Sequence, residues 1–411
     1  MSKRKVLKKV TALSLCLCSI MAMSACDVLS GKFPFMNNTS TQESVEKESV
    51  EKESAGQENV KSDVTMSVSE FNAPVSLVYP AVLSYLEADA EELVTDFLPF
   101  GSERYDQGKP LTISCSFTSK SGIPDVKKIT VEFSFTEDFA VIEQTDTFAG
   151  NSRDLQIFNL QTGRKYYFRV TALLGNGATL SKTGEVETAA SPRMIRLSGG
   201  SNVRDIGGWK TEDGKTIKQG MLYRGGEIDG GKNTGHPDFC LDQNGIKQLR
   251  ALGIKTDIDL RSESVKVGEY SVLGEDVTRN FYDAAQYQSI LQSGNAERTR
   301  KIFSDLANPA AYPVYLHCTH GVDRAGSTVL ILQALLGVHK EDLIRDYELS
   351  AFYYNYKHVN RNLNNGGNIL TLIEGLEAYP GDTLADKTAA FLYSIGVTGE
   401  EIASLRSILL E

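Results

Sequence analysis

The chain has 411 residues, enough for two domains with extensions. Its formal net charge is −10, and no basic cluster occurs outside the N-terminus, which excludes general nucleic-acid binding. Of six cysteines only Cys115, Cys240 and Cys318 lie in the folded part, too scattered for a disulfide framework or a metal site.

Lys3, Arg4, Lys5, Lys8 and Lys9 make the chain start basic, and Val10 to Ala25 is an apolar run too short for a comfortable membrane span. Residues 1–25 therefore read as a targeting segment. Met23-Ser24-Ala25-Cys26 resembles a bacterial lipobox. That resemblance implies cleavage before Cys26, lipidation of its sulfur, and an extracytoplasmic protein held at the membrane by acyl chains. An ordinary secretory signal is the competing reading. Residues 26–68 are polar and poor in aromatics, with Glu-Ser-Val-Glu-Lys repeated in tandem between Glu43 and Ser54. So little apolar content predicts a disordered acidic tether.

Residues 69–190 read as all-β. Leu111 to Phe117 and Ile129 to Phe135 alternate apolar and polar, and Tyr166, Phe168, Val170 and Ala172 share one face of a further strand. Leu160, the Thr162-Gly163 turn and Tyr166 resemble the tyrosine corner of a fibronectin type III domain, although the usual early-strand Trp is missing. Such domains act as spacers or binding modules, and nothing in this one marks a ligand site. Leu77 to Leu98 precedes the clearest strands and suits an extra strand or a helix.

Residues 191–411 alternate strands with helices, which predicts an α/β domain with a central sheet flanked by helices. Asp242 caps a helix to Leu252, Gly253 ends it, and Ile254 to Leu260 is the next strand. Thr398-Gly399-Glu400-Glu401 is a capping box for the last helix. Between an apolar strand, Ala311 to Leu316, and an apolar helix, Thr328 to Leu336, lies His317-Cys318-Thr319-His320-Gly321-Val322-Asp323-Arg324-Ala325-Gly326-Ser327. A strand, a tight loop and a helix N-terminus form an anion site, with backbone N–H groups aimed inward. A cysteine at its mouth is expected to be a nucleophilic thiolate. Arg324 offers two parallel donors to phosphate oxygens. Thr319, His320, Gly321, Val322 and Ala325 complete the cradle. A buried core cysteine is the plain alternative for Cys318, but it leaves the Gly, Arg and helix start unexplained.

This loop resembles the signature of the protein tyrosine phosphatase superfamily. Ser201-Asn202-Val203-Arg204-Asp205-Ile206-Gly207-Gly208, Gly220-Met221-Leu222-Tyr223-Arg224-Gly225, Asp259-Leu260-Arg261-Ser262-Glu263 and Asp346-Tyr347-Glu348-Leu349-Ser350 are similar, in order, to motifs of its bacterial branch. The resemblance implies hydrolysis of phosphate monoesters through a phosphocysteine on Cys318, with Arg324 as clamp and no metal or organic cofactor. His320, Val322 and Ala325 replace that branch's usual Ala, Lys and Thr. Loss of the lysine disfavours polyphosphorylated inositols. Loss of the hydroxyl implies slower breakdown of the phosphoenzyme, unless Ser327 or Thr319 substitutes.

For the general acid, the resemblance points to Asp323. An adjacent guanidinium favours the ionised carboxylate, however, whereas an acid must carry a proton. Asp283, on a separate loop, is the alternative. His317 is expected to hydrogen-bond near Cys318 rather than act as a base, and His320 to face either the substrate entrance or solvent. The substrates expected are phosphotyrosine or phosphoserine/threonine proteins. A cysteine phytase or phosphoinositide phosphatase, and a phosphate-binding pseudo-phosphatase, are the alternatives. A rhodanese-type sulfurtransferase fits less well, since its loop lacks this Arg placement.

Overall fold

Leu111, Ile113 and Cys115 are buried while Thr112, Ser114 and Ser116 are exposed, the period-two pattern of a strand with one face on a core. The computed structural model describes residues 63–230, 241–265, 268–362 and 368–411. Residues 1–25, read as a targeting segment, lie outside the described residues, as do Cys26, the Glu43–Ser54 repeat and Cys240. Residues 60–411 belong to one unit.

Its first part carries β1 (Thr65–Val68), β2 (Leu111–Thr118), β3 (Val126–Ser134), β4 (Gln144–Ala149), β5 (Asp154–Ile157), β6 (Lys165–Leu174) and β7 (Thr179–Glu187). They form two antiparallel sheets, ordered β1-β2-β5 and β4-β3-β6-β7. The sheets share a core that includes Ile113, Val131, Phe133, Leu155, Phe168 and Val170. Tyr166 Oη accepts a hydrogen bond from the Gln161 N–H at 3.0 Å, bracing the turn before β6.

One expectation is corrected: β1 lies inside the segment read as tether. Of the two readings of Leu77 to Leu98, the helix is the one formed: α1 (Pro80–Glu87), followed by a 3-10 turn at Val94–Phe97, lies between β1 and β2. Pro at its first turn starts α1, since the missing N–H has no helical partner there anyway. Val78, Val82, Tyr85 and Val94 pack into the core of the α/β part, not into the sandwich. A cut at residue 190 would therefore open that core.

The α/β part carries β8 (Arg204–Asp205), β9 (Leu222–Gly225), α2 (Gln243–Ala251), β10 (Thr256–Asp259), β11 (Thr278–Phe281), α3 (Ala296–Leu306), β12 (Val314–His317), α4 (Arg324–Leu336), α5 (Lys340–Glu348), α6 (Ile369–Glu377), α7 (Leu384–Ser394) and α8 (Gly399–Leu409). The sheet order is β11-β10-β12-β9-β8, parallel except that β8 runs antiparallel to β9. Asp242 caps α2 through bonds from Asn244 N and Gly245 N, and Thr398 and Glu401 form the reciprocal box on α8. The strand expected from Ala311 starts later, because Pro309–Ala311 is a 3-10 turn and Pro313 has no N–H for a ladder. α4 is apolar on nearly every side, and it is buried from Ala325 to Leu336.

His317 pairs in register with Asp259 on one side and Gly225 on the other. The three central strands therefore end level, and the loops that follow them meet at one point. In open parallel sheets that carboxyl edge is where ligands bind. Polar contacts tie the sandwich to this sheet. Gln219 Nε2 donates to Thr162 O at 2.8 Å, and Arg193 donates through Nε to Leu160 O at 3.2 Å.

Candidate active site

Cys318 closes the floor of the loop between β12 and α4, with 2% of its surface exposed. What shapes the loop is the direction of its peptides. The Thr319 carbonyl accepts from Glu227 N at 3.1 Å, and the His320 carbonyl from Asn202 Nδ2 at 3.2 Å. The Gly321 carbonyl accepts from Arg224 Nη2. The Asp323 carbonyl accepts from Ser327 N at 2.8 Å and Ser327 Oγ at 2.7 Å. Each tethered carbonyl turns the N–H of the same peptide toward the opposite side. A run of such N–H groups is an anion cradle, reinforced by the N-terminus of α4. Gly321 is required at its position: its φ is +71°, and a Cβ there would stand 2.4 Å from the Gly225 carbonyl carbon.

Behind the cradle lies a layer of buried ions. Asp346 of α5 sits between two arginines, with Arg204 Nε at 3.1 Å and Arg224 Nη1 at 3.1 Å. Burial and the neighbouring Arg204 charge lower the Arg224 pKa to about 10, opposed by Asp346. Burial raises the carboxyl pKa of Asp346, but Arg204 and Arg224 outweigh it and the net shift is downward. On the other side Arg261 Nη1 reaches Glu227 at 2.8 Å and Asp229 at 2.6 Å, and its Nη2 reaches Asp259 at 2.7 Å. Arg279 also reaches Asp259, at 2.6 Å. Asp259 is thus a structural anion at a strand end. His317 stands 3.0 Å from Asp257, and its Nδ1 is 3.4 Å from the Cys318 carbonyl. Burial disfavours its charged form, but Asp259 and Asp257 outweigh that and raise its pKa. A ring held in this way braces the loop.

Arg324 is half-buried at the start of α4 and, among the described residues, has no ion-pair partner. The arginines behind the loop are neutralised; this one keeps its charge for a ligand. Asp323, beside it, does not cap α4 with its side chain. It accepts a hydrogen bond from the Tyr287 hydroxyl, which also lies 3.0 Å from the Tyr347 hydroxyl. The Tyr287 N–H donates to Ser327 Oγ at 2.7 Å. Tyr287 therefore holds Asp323 from both ends, and it does so at φ +51°, a left-handed conformation uncommon outside glycine.

Ser327 Oγ donates to the Asp323 carbonyl and accepts from the Tyr287 N–H. Of the two hydroxyls that could substitute for the one missing at Ala325, this bonding disfavours Ser327 and leaves Thr319. Thr319 remains half-buried in the loop. Val322 and Ala325 are buried, so they can contribute only backbone. The His320 ring packs on Tyr356, with centroids 5.0 Å apart, and Tyr356 packs on Tyr353 at 5.1 Å. Asp283 follows β11 at the same sheet edge, exposed and outside the network around the loop.

Nothing in the sequence singles out Tyr287, because an isolated tyrosine in an irregular stretch carries no pattern. Asn202, Arg204, Arg224 and Asp346 lie within the family-like motifs, but their spacing does not reveal which groups they hold. Among the described residues no cluster of His, Cys, Asp and Glu is arranged to hold a metal ion.

The chain matches the tyrosine phosphatase family across residues 195–411, just over half its length. It is similar to a Cupriavidus necator protein provisionally named a tyrosine-protein phosphatase, with 27% identity over 171 residues, 36% of this chain and 59% of the relative. It is also similar to a tyrosine-protein phosphatase of Nostoc commune, with 27% identity over 126 residues, 26% of this chain and 43% of the relative. The chain thus spans about half the length of the curated relatives it matches.

Proposed function

The chain belongs to the tyrosine phosphatase family, and from that premise we propose that it hydrolyses phosphate monoesters of proteins, phosphotyrosine foremost, through a phosphocysteine on Cys318. The observation that carries this reading is the loop itself, whose carbonyls are tethered outward while Arg324, at its rim, has no ion-pair partner among the described residues. In the first step the Cys318 sulfur attacks phosphorus, the bond to the leaving oxygen breaks, and Asp323 gives that oxygen a proton. Loop N–H groups and Arg324 hold the three equatorial oxygens as charge shifts onto them. In the second step water attacks phosphorus, its proton passes to Asp323, and the S–P bond breaks to release phosphate and thiolate.

Cys318→Ser in the full chain tests the nucleophile. Turnover of phosphotyrosyl peptides should be lost while vanadate or phosphate still binds. Retained turnover above ~1% of wild type would overturn the assignment, since losing a covalent nucleophile costs several decades in rate. Phosphoserine peptides and inositol phosphates belong in the same assay, and a preference for the latter would move the substrate class.

Two further parts of the reading concern the chain outside the family match. The sandwich is proposed to be a fibronectin type III domain, supported by its two sheet orders and by the Tyr166 bond to Gln161 N. Cys26 is proposed to carry a lipid that anchors the enzyme on the extracytoplasmic side. Mass spectrometry of the mature N-terminus tests this, and an unmodified end at another residue would refute it.

A further inference from the structure

The segment between β1 and β2 lies outside the family match, yet Asn202 links it to the phosphate loop. Asp106 is wholly buried. Its Oδ2 accepts from the backbone N–H of Asn202 at 2.9 Å. Arg104 holds the same carboxylate in two-pronged fashion, Nε to Oδ1 at 2.7 Å and Nη2 to Oδ2 at 2.9 Å. Arg104 Nη2 also donates to Gly200 O at 2.6 Å, and its guanidinium lies 4.5 Å from the centroid of the Tyr353 ring. Asp106 thus fixes the start of the 201–208 motif, with Arg104 clamping both the carboxylate and the residue before that motif.

Asn202 carries the effect onward. Its φ is +53°, a conformation that its own polar bonds must sustain. Those bonds are Oδ1 from Arg204 Nη1 at 2.7 Å, and Nδ2 to Ser350 Oγ at 3.1 Å and to the His320 carbonyl at 3.2 Å. The His320 carbonyl and the Gly321 N–H belong to one planar peptide. Tethering that oxygen outward therefore keeps that N–H inside the cradle. We propose that Asp106 is a positioning residue for the phosphate loop, acting through Asn202 on the His320–Gly321 peptide, so that the segment preceding β2 forms part of the phosphatase active site. The proposal rests on reading that loop as the phosphate site.

Two features separate this from ordinary packing. The segment also grips the α/β part elsewhere, through the Tyr85 hydroxyl on Glu348 and Arg361 on Glu92 O at 3.1 Å. Those contacts hold the segment in place without touching the loop. The Asp106–Asn202 link, by contrast, leads through a hydrogen bond to the His320–Gly321 peptide of the loop.

The experiment uses the full chain and vanadate as the probe. Asp106→Asn leaves one carbonyl oxygen where two served three donors, so the Asn202 N–H or Arg104 loses its acceptor. Vanadate inhibition should weaken about tenfold or more, the worth of one hydrogen bond to a charged group. kcat should fall with it at temperatures where the variant is folded. Asn202→Ala removes the link to His320 directly and should reproduce the loss. The double variant should be little worse than either single, since both act on one peptide. Tyr85→Phe should lower the melting temperature while leaving vanadate inhibition at the wild-type value. A folded Asp106→Asn with wild-type vanadate inhibition overturns the proposal, as does full additivity with Asn202→Ala. If Asp106→Asn does not fold, Asn202→Ala decides alone, and wild-type inhibition there is equally fatal. Wild-type protein that neither hydrolyses phosphotyrosyl peptides nor binds vanadate would instead sink the phosphatase reading.

Discussion

Replacing Asp346 by Asn tests the account of the ion layer behind the loop. The wild-type carboxylate is 2% exposed and faces two arginines that are themselves buried. Asparagine keeps the shape and removes the only anion between Arg204 and Arg224 that the described residues supply. Breaking a buried pair from one side leaves an uncompensated charge and costs about 3–5 kcal/mol. At roughly 2 °C per kcal/mol, suited to a unit of this size, the melting temperature should fall by about 6–10 °C. Arg224 also holds the Gly321 carbonyl, so vanadate affinity should drop in the folded variant. The pH dependence carries a sign. The folded-state pKa of Asp346 lies below its ordinary value of 3.8. Its stabilising effect is therefore complete above that value and is lost as pH falls through the lower folded-state pKa. The gap between wild type and variant should accordingly narrow in acid. Thermal unfolding by circular dichroism across pH 3–7 reads both effects, with Asp213→Asn, which breaks an exposed pair with Lys215, as the comparator expected to show no change. A shift within ~2 °C of wild type at pH 7 would refute the reasoning, since the cost of an orphaned buried charge is far larger.

Three further outcomes follow from the site. Asp323→Asn should slow substrates with poor leaving groups by about 10²–10⁴ and activated aryl phosphates much less, whereas Asp283→Asn should have little effect; the reverse pattern transfers the acid role to the separate loop. Arg324→Lys should lower kcat by about 10²–10³, because an ammonium lacks the planar pair of donors; near-normal turnover would mean the clamp lies elsewhere. Gly321→Ala should fold but lose vanadate affinity about tenfold or more, as its Cβ meets the Gly225 backbone at 2.4 Å and displaces the loop; wild-type inhibition would show that the loop accommodates it.

Much of the site was legible because its signals are local. Cys318 and Arg324 sit within one strand–loop–helix unit, whose pattern is written in neighbouring residues. The same holds for the cap at Asp242 and the box at Thr398, where side chain and backbone partner lie two or three positions apart. Ranges were less secure where prolines intervened, as at Pro313 before β12. α1 had no periodic signal strong enough to separate helix from strand, and its partners belong to another layer.

The sequence by itself determined the composition of the candidate site, a thiol and a guanidinium at the two ends of a loop opening a helix. Tertiary structure alone decided what holds that loop open. Asp106 meets Asn202 across 96 positions, Asn202 meets His320 across 118, and Tyr287 meets Asp323 across 36. Local backbone preference acts over a few residues and cannot encode such pairs. They form only once the level ends of β9, β10 and β12 bring separate loops together. The tertiary structure also directs the Ser327 hydroxyl to the Asp323 carbonyl. Its place near the arginine could not reveal this, because a hydroxyl bonds to whatever the fold sets beside it.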